Sequence, residues 1–152
     1  MSKAISNLKV IRQNLLKATE GLSFEMLTKV PTGFNNNILW NACHMLTTQQ
    51  ILVYKLSGLP FRIENEFVER YKKGTAPKNE IQAENDWLYF KEQCIPTLDQ
   101  LGKDLNANIF MDFQEYTTSF GLTLSNIEDS IHFNQLHESM HLGYVLAMKH
   151  TL

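Results

Sequence analysis

An all-α four-helix bundle with long connections is the fold this sequence predicts, on three observations. Apolar residues recur at the helical period in four long segments. No two segments alternate apolar and polar residues as paired strands do. No internal repeat divides the 152 residues, 43% of them apolar, so a single domain over 1–152 with its own core is expected.

The first helix is expected from Lys3 to Thr19, with Ile5, Leu8, Ile11, Leu15 and Leu16 on one side and Lys9, Arg12, Gln13 and Lys17 opposite. Gly21 stops it. Ser23 to Leu27 can form one further turn before Pro31, and Pro31 to Asn37 reads as loop. Asn36 or Asn37 can cap the second helix, since a short side-chain oxygen accepts a free backbone N–H there. That helix runs from Ile38 to Gly58 and carries hardly any charge between Asn35 and Lys55. Such a helix is buried on most of its circumference, His44 included.

Phe61 to Gly74 reads as a connector with one amphipathic turn at Glu66, Phe67, Arg70 and Tyr71, followed by a polar break to Pro77. The third helix is expected from about Asn79 to Lys103, with Ile81, Trp87, Leu88, Phe90, Ile95, Leu98 and Leu101 pointing inward. Pro96 falls inside it and removes a ladder bond, which predicts one kinked helix in place of two. Asn106 to Leu122 is the least helical stretch, a long loop with a short extended piece. Ser125-Asn126-Ile127-Glu128 reads as a capping box opening the last helix, which continues through Ile131, Phe133, Leu136, Met140, Tyr144, Val145 and Met148.

Charge is nearly balanced, 14 Lys plus Arg against 16 Asp plus Glu, and the basic residues are scattered. Neither a nucleic-acid partner nor an anionic membrane partner is expected. The first residues lack the apolar core of a signal peptide, and no apolar run is long enough to span a bilayer. Cys43 and Cys94 are too few for a disulfide framework. A cytoplasmic protein is the expectation.

The chemistry concentrates in His137-Glu138-Ser139-Met140-His141. Two imidazoles four residues apart on a helix lie about 40° apart around the axis and roughly 6 Å along it, so both reach one divalent ion. The spacing also matches the H-E-x-x-H of zinc peptidases. The extended peptidase motif needs Gly at position 144 and His at 147, where this chain has Tyr144 and Ala147, and no carboxylate follows Glu138. A third ligand is expected from upstream, and the peptidase reading is disfavoured. Of the other histidines, His132 lies about 140° around the axis from His137 and does not share its ion. His150 is most simply solvated at the helix end. His44 remains. Three buried imidazoles converging on one core are costly without a metal, and three histidines with an open position are a reactive ligand set.

Asn37-Ile38-Leu39-Trp40-Asn41-Ala42-Cys43-His44 resembles the W-x-x-x-H segment of the DinB-like (DNA-damage-inducible) superfamily. His137-Glu138-Ser139-Met140-His141-Leu142-Gly143 resembles its H-E-x-x-H-x-G segment, and helix order and segment separation also fit. The resemblance implies a bundle binding one divalent metal through His44, His137 and His141, nickel or zinc foremost, with iron or manganese also compatible. It further implies a homodimer and, in some members, transfer of a low-molecular-weight thiol or isomerisation of a thiol adduct. Leu142 and Tyr144 depart from the family pattern, which often has Arg and Gln there.

Two function classes follow. One is a metal-dependent enzyme that activates a thiol or water toward a small-molecule substrate, with Glu138 and Asn41 as catalytic candidates. The other is a metal-binding dimeric bundle without turnover, a sensor or scaffold. Asn41, Thr47, Thr48, Asn134 and Glu138 are candidates to orient the ligands. Glu138, about 100° round from His137, is expected to point partly to solvent and not to act as general base. Cys43 is expected to be an inert small hydrophobe. The coordinating nitrogens should lie within roughly 3–3.5 Å of each other. The open side should face a cavity lined by Asn41, Thr48, Asn134 and aromatics, with no fourth protein ligand.

Overall fold

The computed structural model describes residues 3–77 and 80–152 of the chain. Its helices are α1 (Lys3–Thr19), α2 (Phe24–Thr28), α3 (Ile38–Gln50), α4 (Asn65–Tyr71), α5 (Glu80–Gln93), α6 (Pro96–Asn106) and α7 (Ile127–Lys149). A two-stranded antiparallel hairpin, β1 (Tyr116–Thr117) and β2 (Thr123–Leu124), interrupts the long loop before α7. The bundle consists of α1, α3, the α5–α6 pair and α7. Among the described residues no helix is long and apolar enough to cross a membrane.

α7 is the central element. Asn7 donates to Gln135, Arg12 pairs with Glu138, and Lys149 reaches the Ala18 carbonyl, so α1 runs parallel to it. Asn41 meets His141 and Met148 at one end, while Leu52 and Leu56 pack with Phe133 toward the other, so α3 runs antiparallel. α3 is buried nearly all round, as its lack of charge predicts: Ile38 through Thr47 are all buried. Fully buried Phe67 and Phe90 anchor α4 and α5 in the same core. Each such ring contributes about 1.5–3 kcal/mol of transfer free energy.

The ends of α3 follow from local chemistry. Asn37 Oδ1 accepts the Trp40 N–H at 2.8 Å and caps the first turn. Beyond Gln50 the chain continues as a π turn, Ile51–Lys55, closed by a Leu56 N–H to Ile51 carbonyl bond. Gly58 then adopts φ +68°. Its N–H bonds the Lys55 carbonyl and the Leu59 N–H bonds the Tyr54 carbonyl, a paired closure that needs a left-handed residue at 58.

Four sequence expectations are corrected. The third helical segment is not one kinked helix: the ladder stops at Gln93, turns through Cys94 and Ile95, and restarts with Pro96 at the first position of α6. The break falls at the proline, but other groups satisfy the carbonyls it frees. Thr97 Oγ1 donates to the Gln93 carbonyl at 2.8 Å, and Arg12 Nη1 donates to that of Cys94 at 2.5 Å. The expected start at Asn79 lies outside the described residues. Ile81 and Leu88 do not point inward; they are 88% and 49% exposed, because α5 buries only Ala83, Asp86, Trp87 and Phe90. The cap of α7 is Asn126, whose Oδ1 accepts the Asp129 N–H, with Asp129 accepting from Ser125 N–H in return. The capping box is therefore one residue later than the Ser125 register. Arg12 does not lie on a polar face: it is fully buried on the stripe Ile5, Leu8, Arg12, Leu15, Thr19.

Candidate metal centre

α3 and α7 bring the three predicted histidines together. His44, His137 and His141 each offer a ring nitrogen, and these nitrogens all lie within 4.8 Å of one another. His137 Nε2 and His141 Nε2 are 3.1 Å apart. One pair is thus already at the separation expected of two ligands to one ion, while the group as a whole is wider than the expected value of roughly 3–3.5 Å, its nitrogens lying within 4.8 Å of one another. No other His, Cys, Asp or Glu joins the group among the described residues. His132 and His150 are exposed and stand apart, as expected.

Two of the three rings, His44 and His141, are aimed by their second nitrogen. His44 Nδ1 donates to the Tyr71 carbonyl at 2.6 Å, which leaves Nε2 as the ligating atom. Trp40, one turn earlier, stacks on the His44 ring at 4.5 Å and 11°. Thr48 Oγ1 approaches His44 Nε2 at 3.3 Å. Asn41 Oδ1 accepts from His141 Nδ1 at 2.8 Å and likewise presents Nε2. Asn41 is itself held by the Asn36 side chain and the Asn37 carbonyl. Partners of this kind fix ring orientation and tautomer in metal sites. His137 Nδ1 has no hydrogen-bond partner among the described residues.

The histidines are neutral bases. Burial lowers the His137 pKa to about 2, with the His141 and His44 rings adding to the effect. Burial and His44 lower His141 to about 3. Burial lowers His44 as well, partly offset by its bond to Tyr71. Three neutral imidazoles whose ring nitrogens cluster in this way offer donors of the kind a divalent cation takes.

Glu138 does not point to solvent. It is fully buried, with Oε1 2.6 Å from Arg12 Nη2 and Oε2 3.0 Å from Arg12 Nε. Asn134 Nδ2 donates to the same carboxylate at 2.9 Å. Residues 137 and 138 therefore face different partners: His137 faces α3 and the cavity, Glu138 faces α1. Asn41 and Asn134 do not line the cavity as expected, because Asn41 stands behind His141 and Asn134 beside Glu138. Thr47 is fully buried and its hydroxyl finds no partner among the described residues. Cys43 is buried, its thiol pushed up mainly by burial and next by Asp86, consistent with an inert side chain.

A cavity of about 310 Å³ opens over the histidines, with Thr48 on its wall as predicted. Ile51 and Leu52 of the π turn, Phe133 and Met140 of α7, and Phe120 at the hairpin tip are among the residues that line it. The family model of the DinB superfamily matches residues 7–145, which run from within α1 to within α7 and include both histidine segments. The chain belongs to the DinB superfamily. No curated protein matches it. In this DinB superfamily member the family's helical fold and a three-histidine group positioned to hold a metal ion occur together.

Two contributors to the site escaped the sequence reading. The Tyr71 carbonyl orients His44, and no sequence pattern marks a backbone acceptor. Arg12 does carry a signal in the sequence: positions 5, 8, 12, 15 and 19 follow heptad spacing, and the structure buries that stripe with Arg12 in it.

Proposed function

We propose that this DinB superfamily member binds one divalent metal ion, nickel or zinc, through Nε2 of His44, His137 and His141, and uses it to activate a low-molecular-weight thiol or water toward a small-molecule substrate. The observation that carries the reading is the set of three neutral imidazoles, two of them oriented by hydrogen bonds, converging beneath a cavity with no fourth protein ligand among the described residues. A metal bound there lowers the pKa of a thiol or water in an open coordination position. The chain's residues supply the rest: Tyr71 and Asn41 hold the ring orientations, and Ile51, Leu52 and Phe133 keep the open side apolar.

No carboxylate lines the cavity among the described residues, and both oxygens of Glu138 are held by Arg12. The absence of a positioned base is compatible with either nucleophile, because a metal-bound thiol or water can lose its proton to solvent. The same observation is compatible with the second reading, a metal-binding bundle without turnover. A homodimer belongs to the proposal, supported by the exposed Leu136 and Leu146 on α7. A cytoplasmic location belongs to it too, supported by two free, buried cysteines.

The deciding experiment is metal content and turnover in one preparation. Purified protein titrated with nickel or zinc should bind one equivalent, and His44→Ala should bind none. The loaded protein, assayed with a panel of small thiols and electrophiles, should show turnover that His44→Ala lacks. One bound metal without turnover on any pair would favour the scaffold reading. No metal uptake by the wild-type chain would sink both.

A further inference from the structure

The cavity above the histidines carries one charge that the metal reading does not use. Its walls are largely aliphatic and aromatic, with Thr48, Thr118 and Ser119 among them, and its volume is about 310 Å³. That lies at the small end of ligand pockets and equals the space of about ten waters. Lys73 lies on its rim, contributed by the turn after α4, and no carboxylate lines the cavity among the described residues. The neighbouring Lys72 is paired with Glu69. Lys73 makes no ion pair among the described residues, although the protein has 16 acidic side chains. Thr118 and Ser119 of the hairpin lie on the same cavity and add hydroxyl groups.

We propose that Lys73 makes this cavity selective for small amphipathic anions, molecules with an apolar body and one carboxylate. The apolar body lies against Leu52, Phe120 and Phe133, and the carboxylate reaches Lys73 at the rim. The physical reason is complementarity. A neutral apolar molecule gains the wall contacts alone, whereas an anion also meets an ammonium group that has no carboxylate competing for it. A cationic ligand of the same shape gains the walls and meets repulsion. The inference names the substrate class of the proposed site and rests on that reading only for the site's location, because Lys73 is independent of the three ligands.

The test uses the full chain and three matched probes: 4-phenylbutyrate, 4-phenylbutanol and 4-phenylbutylamine. Each is titrated by NMR into chelator-treated protein, and metal binding is measured separately on the same preparation. In the metal-free protein the carboxylate should bind about tenfold tighter than the alcohol, equivalent to about 1.4 kcal/mol. The amine should bind more weakly than the alcohol. Raising the salt from low to high concentration should shrink the gap. Lys73→Ala should remove the gap with the alcohol's affinity unchanged, and Lys73→Glu should reverse the order of acid and amine. Lys73 is exposed, so an unchanged melting temperature verifies that both variants fold.

Equal affinity for acid and alcohol would overturn the proposal, as would a gap that survives in Lys73→Glu. A gap seen only with metal bound also overturns it, because the carboxylate would then be a metal ligand. Failure of all three probes to bind overturns it as well. A gap intact in metal-free protein that takes up no nickel or zinc supports Lys73 and sinks the metal reading, which separates the two failures.

Discussion

His137 and Glu138 are neighbours on α7, yet they belong to two buried polar clusters of opposite kinds. Around Glu138 every charge is answered within the chain: Arg12 bonds it twice, Asn134 bonds it once, and Arg12's remaining donor group serves Cys94 and Thr97. Around His137 the chain supplies bases and no cation, with two ring nitrogens 3.1 Å apart and Nδ1 without a partner. The charges of the Glu138 cluster are closed on each other, although the Asn134 side-chain oxygen has no partner among the described residues, and a buried network whose charges are so paired specifies structure. One left open toward a cavity is arranged for something that the chain does not provide. The difference turns on about 100° of helix rotation between adjacent residues.

The comparison breaks most visibly on the Glu138 side. Arg12→Ala leaves a carboxylate buried without its partner and should lower stability by about 3–5 kcal/mol, read by chemical denaturation. The double substitution Arg12→Met with Glu138→Leu should recover most of that loss, since an apolar pair of similar volume needs no compensation. If Arg12→Ala is as stable as wild type, the closed cluster is not a structural pin.

The histidine side should reveal itself through pH in metal-free protein. Burial holds His137 and His141 at folded-state pKa values of about 2 and about 3, below the ordinary imidazole value of about 6.5. Between those values the unfolded chain binds protons that the folded chain does not. Stability is thus fully present above about 6.5 and lost as pH falls. The slope approaches about 1.4 kcal/mol per pH unit for each histidine once pH is well below 6.5. Replacing both by Gln should flatten the profile; a profile unchanged in that variant would show that these rings are not held neutral.

Metal should act on one cluster only. An ion at a hundred times its Kd should stabilise the fold by about 2.7 kcal/mol. A chelator should reverse this, and His44→Ala should abolish it. A melting temperature unmoved by chelation of loaded protein would contradict a metal linked to folding. The smallest effect tests the support around the site. Asn41→Ala removes the acceptor for His141 Nδ1 and should weaken metal affinity about 10–100-fold, measured by competition with a chelator. Asn126→Ala, at a helix cap away from the site, should cost about 1 kcal/mol of stability and leave metal affinity unchanged.

The helices and the histidine triad were legible from sequence because both depend on local rules. Apolar periodicity, the Asn37 cap and the stop at Gly58 act within a turn or two of chain, as does the four-residue spacing of His137 and His141; Pro96 marked a disturbance, but its being a full break between two helices was not legible. What lay beyond that range was decided by tertiary packing alone. Only the parallel contact of α1 with α7 turns Arg12 and Glu138 from two apparently exposed charges into a buried pair. Only the antiparallel contact of α3 with α7 places Asn41 behind His141 instead of in the cavity. Lys73 reaches the cavity rim because α4 carries its turn back over α3, where the Tyr71 carbonyl meets His44. A charged residue's worth depends on which partner the fold sets opposite it, and short-range pattern holds no record of partners 27 or 126 positions away.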